Sequence, residues 1–224
     1  MKIRNNKNIL SFKGPNPLKN EYKKNLILTQ EQKNILVGTL LGDAYIESKG
    51  LVPKYRYYFS QKESQKNYVN HNFSYFKDWC SKEPQQAKSG INKNGIITKY
   101  IYFLTCTHND FKLYNDIFYS SENNKRVKII PQNIGQLLNA QVLAYWFMDD
   151  GYGKSTSSGY VINTQNFSLN QQQDLVEIFK LIFDLNITIH KDRTNYRLYI
   201  PKNNKEKFKN IIQPYIIPSM LYKL

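Results

Sequence analysis

Two nine-residue segments, whose terminal carboxylates lie 107 positions apart, constrain the fold of this chain more than any other feature. Residues 36–44 read Leu-Val-Gly-Thr-Leu-Leu-Gly-Asp-Ala, and residues 143–151 read Leu-Ala-Tyr-Trp-Phe-Met-Asp-Asp-Gly. In each, an apolar helical stretch leads to a carboxylate at the eighth position, Asp43 or Asp150. A carboxylate at a helix C-terminus faces the negative end of the helix dipole, which costs about 0.3–1 kcal/mol unless a cation is nearby. The matched pair therefore indicates a shared function.

The residues that follow each segment repeat in the same order. Thr29 and Gln32 have capping-box spacing before the first helix, and Ser168 and Gln171 have it before a later helix. Strands are predicted over 55–61, 96–105, 160–165, 187–189 and 195–200, and helices over 67–79, 111–118, 175–183 and 208–212. This order predicts an α+β chain with a basic arm at 1–25, one αββαββ-like unit at 26–125 and a second at 126–224. We expect the arm to be extended.

The charge balance indicates a polyanionic partner. The 224 residues include 32 Lys and Arg against 17 Asp and Glu, a formal charge of +15. Lys, Asn, Ile and Tyr, which AT-rich codons can encode, make up 94 positions. That bias inflates the Lys count and is typical of organellar genes, but it does not explain the twofold excess over acids. Nucleic acid rather than a membrane surface is thus the expected partner, and apolar runs such as 35–41 are too short to span a bilayer.

The glycines of the first helix predict a close helix contact. Gly38 and Gly42 lie one turn apart, and each costs about 1 kcal/mol of helix stability. Packing against Ala144 of the second segment would bring Asp43 and Asp150 together. Paired carboxylates suit Mg²⁺, which retains positions for water and phosphate oxygens. Such a site can activate water against a phosphodiester.

These segments resemble the twin motifs of LAGLIDADG homing endonucleases of the single-chain type, and 143–151 is similar to the version in fungal mitochondrial intron-encoded members. Further similar stretches are 42–46, 163–165 and 217–224. The resemblance implies two pseudo-symmetric αββαββα units that form a DNA-binding saddle, with the motif helices at the inter-domain interface. It also implies a monomer that cuts both strands of a long DNA site at an intronless exon junction and so promotes intron mobility.

The resemblance also implies roles for individual residues. Asp43 and Asp150 would be the catalytic metal ligands, with the carbonyls of Gly42 and Asp149 as minor ligands of Mg²⁺, for which Mn²⁺ could substitute. Lys128, Lys223, Gln61 and Gln165 would orient water and support the scissile phosphates. The bulky Tyr145 and Trp146 in the second motif depart from the family pattern and suggest an asymmetric helix contact.

Basic and aromatic positions on the predicted strands are candidates for DNA contacts. Arg side chains can read guanine in the major groove, whereas most other basic residues contact phosphates. The candidates are Arg56, Tyr58, Ser60, Lys62, Arg193, Arg197 and Tyr199.

Two other functions compete with the nuclease interpretation. One is an intron RNA maturase, which assists splicing, and the other is a DNA-binding regulator without catalysis. Two carboxylates facing a polyanion favour the nuclease. The codon bias favours a mitochondrial, organelle-encoded origin, and the scattered His and Cys residues do not indicate a zinc site.

Overall fold

The computed structural model describes residues 17–91, 95, 97–153 and 158–224. By its internal contacts the chain forms two compact units. The first holds the described residues up to Lys33 together with Ala44–Asn115, and the second holds Asn34–Asp43 together with Asp116–Leu224. The C-terminal part of the first motif helix thus belongs to the same unit as the second motif helix. The division at 25 and 125 made from the sequence stays a prediction.

The first unit is built on a four-stranded antiparallel sheet of order β1-β2-β4-β3. Alternation along β2 buries Tyr57 and Phe59 against Phe76 and Phe103, which form an aromatic core between the sheet and α3. The elements are α1 (Pro17–Lys24), α2 (Gln30–Leu41), β1 (Tyr45–Lys49), β2 (Lys54–Lys62), α3 (Lys66–Phe76), β3 (Gln85–Lys88), β4 (Lys99–Leu104) and α4 (Asp110–Phe118).

The second unit has a sheet of the same connectivity, β7-β8-β10-β9. Phe147 of α6 packs on Tyr160 of β8 and Phe208 of α8, all fully buried. The elements are β5 (Tyr119–Glu122), β6 (Lys125–Lys128), α5 (Ile134–Leu137), α6 (Ala140–Asp150), β7 (Gly151–Gly153), β8 (Tyr160–Ile162), α7 (Leu169–Phe183), β9 (Thr188–Asp192), β10 (Asn195–Ile200) and α8 (Lys205–Ile212). A 3-10 helix, Pro218–Lys223, follows.

The two series α2-β1-β2-α3-β3-β4-α4 and α6-β7-β8-α7-β9-β10-α8 confirm the predicted repeat of αββαββα units. Both capping boxes are also confirmed. The backbone N–H of Gln32 donates to the Thr29 hydroxyl, and the backbone N–H of Thr29 donates to the side-chain oxygen of Gln32. Ser168 and Gln171 make the same two hydrogen bonds. These caps satisfy backbone donors that a helix start leaves without partners.

Several local predictions differ from the structure. Residues 17–24 of the predicted extended arm form α1, which has Pro at its first position and Lys23 and Lys24 in its last turn, as helix ends favour. Residues 1–16 of the arm lie outside the described residues. The strand predicted to reach Gln165 ends at Ile162, and α7 begins six residues before the predicted start. The predicted turn at 92–95 falls largely outside the described residues, although β3 and β4 do pair antiparallel.

In the described part of the chain, the helices are too short or too polar for any of them to cross a bilayer.

Candidate active site

The two motif helices touch through the glycines of α2, as the sequence predicts, but the nearest neighbours of Gly38 are Val142, Tyr145 and Trp146 rather than the predicted Ala144. A Cβ added at Gly38 would lie 2.6 Å from the carbonyl oxygen of Val142 and 2.7 Å from the Cβ of Tyr145. Both neighbours are fixed to the backbone of α6, so the contact requires a residue without a side chain. The bulky Tyr145 therefore packs directly over Gly38, and the contact is asymmetric in residue size.

Side-chain amides join the same helices at the N-terminal end of α6. Asn139 caps α6 by accepting from the Val142 amide at 3.0 Å and donates to the Asn34 oxygen at 3.1 Å. The Asn34 amide in turn donates to Gln141 at 2.8 Å. These bonds fix the register of α2 on α6, which determines where their C-terminal carboxylates lie.

Three carboxylates lie at the C-terminal ends of the paired helices. Asp150 is the last residue of α6, whereas Asp43 lies two residues beyond the end of α2 and is exposed. The half-buried Asp149 accepts a hydrogen bond at 3.1 Å from the backbone N–H of Asp43. This side-chain contact was not predicted, because the family resemblance indicated a role only for the backbone carbonyl of Asp149. The signal that could have shown it is Gly42, the small residue at the matching position of the first motif.

Two lysines meet these helix ends in matched positions. The ammonium of Lys128 donates to the carbonyl of Gly42 at 2.7 Å. The ammonium of Lys223 donates to the carbonyl of Asp149 at 3.0 Å and also to that of Met148. Gly42 and Asp149 each precede a motif carboxylate by one residue, so the repeat extends to the lysines. Their charges offset the negative ends of the helix dipoles.

Each lysine lies at the end of an element that is held by strand pairing or by a hydrogen bond. Lys128 ends β6, which pairs with β5 through a two-residue turn in which Asn123 and Asn124 both have positive φ, 50° and 60°. Asn tolerates this left-handed conformation, which matches the twist of a hairpin. Lys223 ends the C-terminal 3-10 helix, and the Tyr160 hydroxyl anchors the following carbonyl, that of Leu224, at 2.8 Å.

Burial, followed by the crowding of like charges, sets the electrostatics of the site. Burial, and then the neighbouring Asp43, raise the pKa of Asp150 to about 7, while Lys128 and Lys223 oppose this shift. Burial and the flanking carboxylates also raise the pKa of Asp149 well above its usual range. Burial lowers the pKa of Lys128 and of Lys223, against the attraction of the three carboxylates. A cation that approaches these carboxylates would relieve their mutual repulsion.

The donor set fits a hard divalent cation held by few protein ligands. Within the described ranges, no group of three or more His, Cys, Asp or Glu side chains is arranged to hold a metal ion. Asp43 and Asp150 supply two carboxylates, and backbone carbonyls lie next to them. Oxygen ligands in this number suit Mg²⁺, which usually binds one or two carboxylates and completes its sphere with water and phosphate.

The two predicted glutamines lie in comparable parts of the two units. Gln61 is in β2, opposite Ile101 of β4, and shares its strand face with Tyr57 and Phe59. Gln165 follows β8 and donates to Asp192 of β9 at 2.8 Å and to Asn163 at 3.3 Å. The structure thus places Gln165 within a polar cluster of the second unit.

The outward face of the first sheet carries the predicted groove residues. Arg56, Tyr58, Ser60 and Lys62 alternate with the buried positions of β2. Arg56 pairs with Glu47 of β1. Tyr58 stacks on Tyr45 and Tyr102 with ring centroids 4.6 and 5.4 Å apart, and burial raises its pKa to about 12. This aromatic ladder across three strands was missed, because cross-strand neighbours depend on register.

The second sheet presents a similar mixture of basic and aromatic side chains. Arg197 donates to the Tyr152 hydroxyl at 3.0 Å and lies 3.7 Å from the Asp192 carboxylate. Tyr199 stacks on His190 at 4.4 Å. Arg193 is exposed at the turn between β9 and β10, where its φ of 56° shows a left-handed backbone. The DNA-contact residues predicted for this unit therefore share the hairpin of β9 and β10.

A repeated αββαββα fold with two carboxylates at the ends of adjacent helices, each beside a lysine, defines a protein class whose site suits phosphodiester chemistry. The family model of the LAGLIDADG DNA endonuclease family matches residues 33–208. The chain belongs to this family.

Relatives and a solved structure agree with that assignment. DNA endonuclease I-ChuI of Chlamydomonas applanata is 28% identical over 88% of this chain and 95% of its own length. The cytochrome b mRNA maturase bI2 of Debaryomyces hansenii is 32% identical over 88% of this chain and 74% of its own length. The homing endonuclease I-WcaI, solved bound to its DNA recognition sequence, is similar with a TM-score of 0.82 and 31% identity over 94% of both chains.

Proposed function

We propose that this chain is a monomeric, site-specific homing endonuclease that makes a double-strand break in a long DNA target. The observation that carries the proposal is the matched pair of helix ends. Asp43 follows a carbonyl that accepts from Lys128, and Asp150 follows a carbonyl that accepts from Lys223. The similarity to I-WcaI, which binds its DNA recognition sequence, supports double-stranded DNA as the substrate.

The proposed cofactor is Mg²⁺, with Mn²⁺ as a substitute. Asp43 and Asp150 would hold it, assisted by the carbonyls of Gly42 and Asp149 that now accept from the lysines. A bound divalent cation supplies a water of lowered pKa and stabilises the leaving oxygen of a phosphodiester. Burial, and then repulsion from Asp43, raise the pKa of Asp150, which supports the proposal because a bound cation would stabilise the buried carboxylate pair.

The chain's own residues would position the substrate around this centre. The ammonium groups of Lys128 and Lys223 place positive charge where scissile phosphates would lie. Gln61 and Gln165 are proposed to orient water. Outside the centre, the outward strand residues Arg56, Tyr58, Ser60, Lys62, Arg193, Arg197 and Tyr199 would contact the groove and the backbone of the target.

The intronless junction of the host gene provides the test of this proposal. The purified chain should cut a duplex spanning the joined exons in Mg²⁺, and should leave uncut the same gene interrupted by its intron. EDTA should abolish cutting. Binding should weaken steeply between about 50 and 200 mM salt, because phosphate contacts release counterions. Failure to cut any junction duplex under these conditions would refute the nuclease function.

A maturase is the second candidate, and one observation favours it. The relative from Debaryomyces hansenii carries that name and aligns over most of this chain. A splicing assay on the host intron RNA would distinguish the functions, because a maturase raises the splicing rate even when Asp43 and Asp150 are both replaced. A DNA-binding regulator gains nothing from carboxylates that face a polyanion. An organelle-encoded, mitochondrial origin is also part of the proposal, and the name of the Debaryomyces hansenii relative, a cytochrome b mRNA maturase, supports it.

A further inference from the structure

The residues that precede the two motif carboxylates differ in size and fit together. Gly42 has no side chain, and the carboxylate of Asp149 lies against the space that a side chain there would fill. A Cβ added at Gly42 would lie 2.5 Å from both the Cβ and the Oδ2 of Asp149. The two motifs therefore differ at this position. The first has no side chain there, and the carboxylate of Asp149 in the second lies against the space left at Gly42.

The Asp149 carboxylate makes a bond that its counterpart cannot make. Its Oδ2 accepts from the backbone N–H of Asp43 at 3.1 Å. Gly42 has no side chain that could return the same bond to the backbone of Asp150. The cross-helix bond therefore runs in one direction, from the first motif backbone to the second motif side chain.

The two motif carboxylates also differ in how their own helices hold them. Asp150 is the last residue of α6, and the next amide, Gly151 N–H, still bonds to the Phe147 carbonyl. Asp43 lies beyond Leu41, the last residue of α2. Asp150 thus lies within its helix, whereas Asp43 lies outside α2 and its backbone N–H bonds to the Asp149 side chain of α6.

We propose that Asp149 is a positioning residue that acts through the backbone of Asp43 and fixes the spacing between the Asp43 and Asp150 carboxylates. It makes the two halves of the site unequal, so that cleavage of the two DNA strands depends on it to different extents. This inference rests on the proposed nuclease function. The role requires a hydrogen-bond acceptor at position 149 and does not require its negative charge.

Two substitutions distinguish whether position 149 needs a hydrogen-bond acceptor or a negative charge. Asp149→Asn keeps an oxygen that can accept from the Asp43 N–H, whereas Asp149→Ala removes it. In the metal-free protein, we expect hydrogen exchange at the Asp43 amide to be slow in the wild type and in Asp149→Asn, and faster in Asp149→Ala. At saturating DNA, Asp149→Ala should slow cleavage about 10- to 100-fold, as expected for a displaced catalytic group, and one strand should be slowed more. Asp149→Asn should cut at least about threefold faster than Asp149→Ala, because an oxygen at position 149 can still accept from the Asp43 N–H.

The outcomes that overturn the inference are distinct from those that refute the nuclease. Equal loss of cleavage in Asp149→Asn and Asp149→Ala would show that the charge acts directly, and unchanged exchange and cleavage in Asp149→Ala would show that the bond has no role. If Asp149→Ala does not fold, a folded Asp149→Asn protein that has lost cleavage overturns the proposal. A wild type that cuts no DNA refutes the nuclease, while the exchange measurement still tests the positioning bond.

Discussion

Replacing Gly38 by Ala tests the helix contact on which the site is built. The added Cβ would lie 2.6 Å from the Val142 carbonyl oxygen and 2.7 Å from the Tyr145 Cβ, whereas ordinary contacts begin at 3.4 Å. Neither neighbour can rotate away, so α2 and α6 must separate by most of an ångström. Overpacking of this kind costs about 1–3 kcal/mol. The gain of about 1 kcal/mol from replacing a helical Gly offsets part of that cost.

We therefore expect Gly38→Ala to lower the free energy of unfolding by up to about 2 kcal/mol, or the Tm by up to about 8 °C for a chain of this length. Differential scanning calorimetry without metal measures this shift. Gly135→Ala is the matched control, because its Cβ would meet only the Ile178 Cγ1, at the ordinary distance of 3.9 Å. The control should be neutral or stabilising by up to about 1 kcal/mol. Equal Tm changes in the two variants would refute the close packing of α2 on α6.

Two further predictions concern caps and charge. Thr29→Ala removes the side-chain acceptor of the Gln32 amide and should cost about 1 kcal/mol in urea denaturation, and a cost near zero would contradict the capping role. The pH dependence follows from Asp150, whose pKa is raised from 3.8 to about 7 by burial and then by Asp43. The folded protein holds a proton there that the unfolded chain releases, so stability falls as pH rises through that interval. In EDTA, the stability of the wild type relative to Asp150→Asn should fall between about pH 4 and 7, and parallel profiles would contradict this assignment.

The sequence predicted the parts of this fold that depend on periodicity and caps. Tyr57 and Phe59 alternate with polar neighbours, and Thr29 and Ser168 have the spacing of capping boxes, so β2, the start of α2 and the cap of α7 were found. The helix predicted after Ser168 nevertheless began six residues too late. The hairpin of β5 and β6 was missed, although Asn123-Asn124 is a turn signal, because its strands have only four residues each. Short strands acquire their conformation from pairing rather than from their own pattern.

The residues of the site were predicted, but most of the contacts between them were not. The matched helix ends predicted Asp43 and Asp150, and the family resemblance supplied Lys128 and Lys223. The contacts of these lysines with helix carbonyls, and the bond from Asp43 to Asp149, follow from how α2 lies on α6. That arrangement depends on the fit of Gly38 and Gly42 to individual side chains, which no single segment of sequence specifies.

The most direct test of the account replaces each motif carboxylate by its amide and measures cleavage and binding on the same duplex. Asp43→Asn and Asp150→Asn should each abolish double-strand cleavage, and each should bind the duplex with a Kd close to that of the wild type. The charge-conserving Asp43→Glu variant controls for charge, because it keeps a carboxylate there. Cleavage by either amide variant at the wild-type rate would contradict the assignment of these two residues as the catalytic pair.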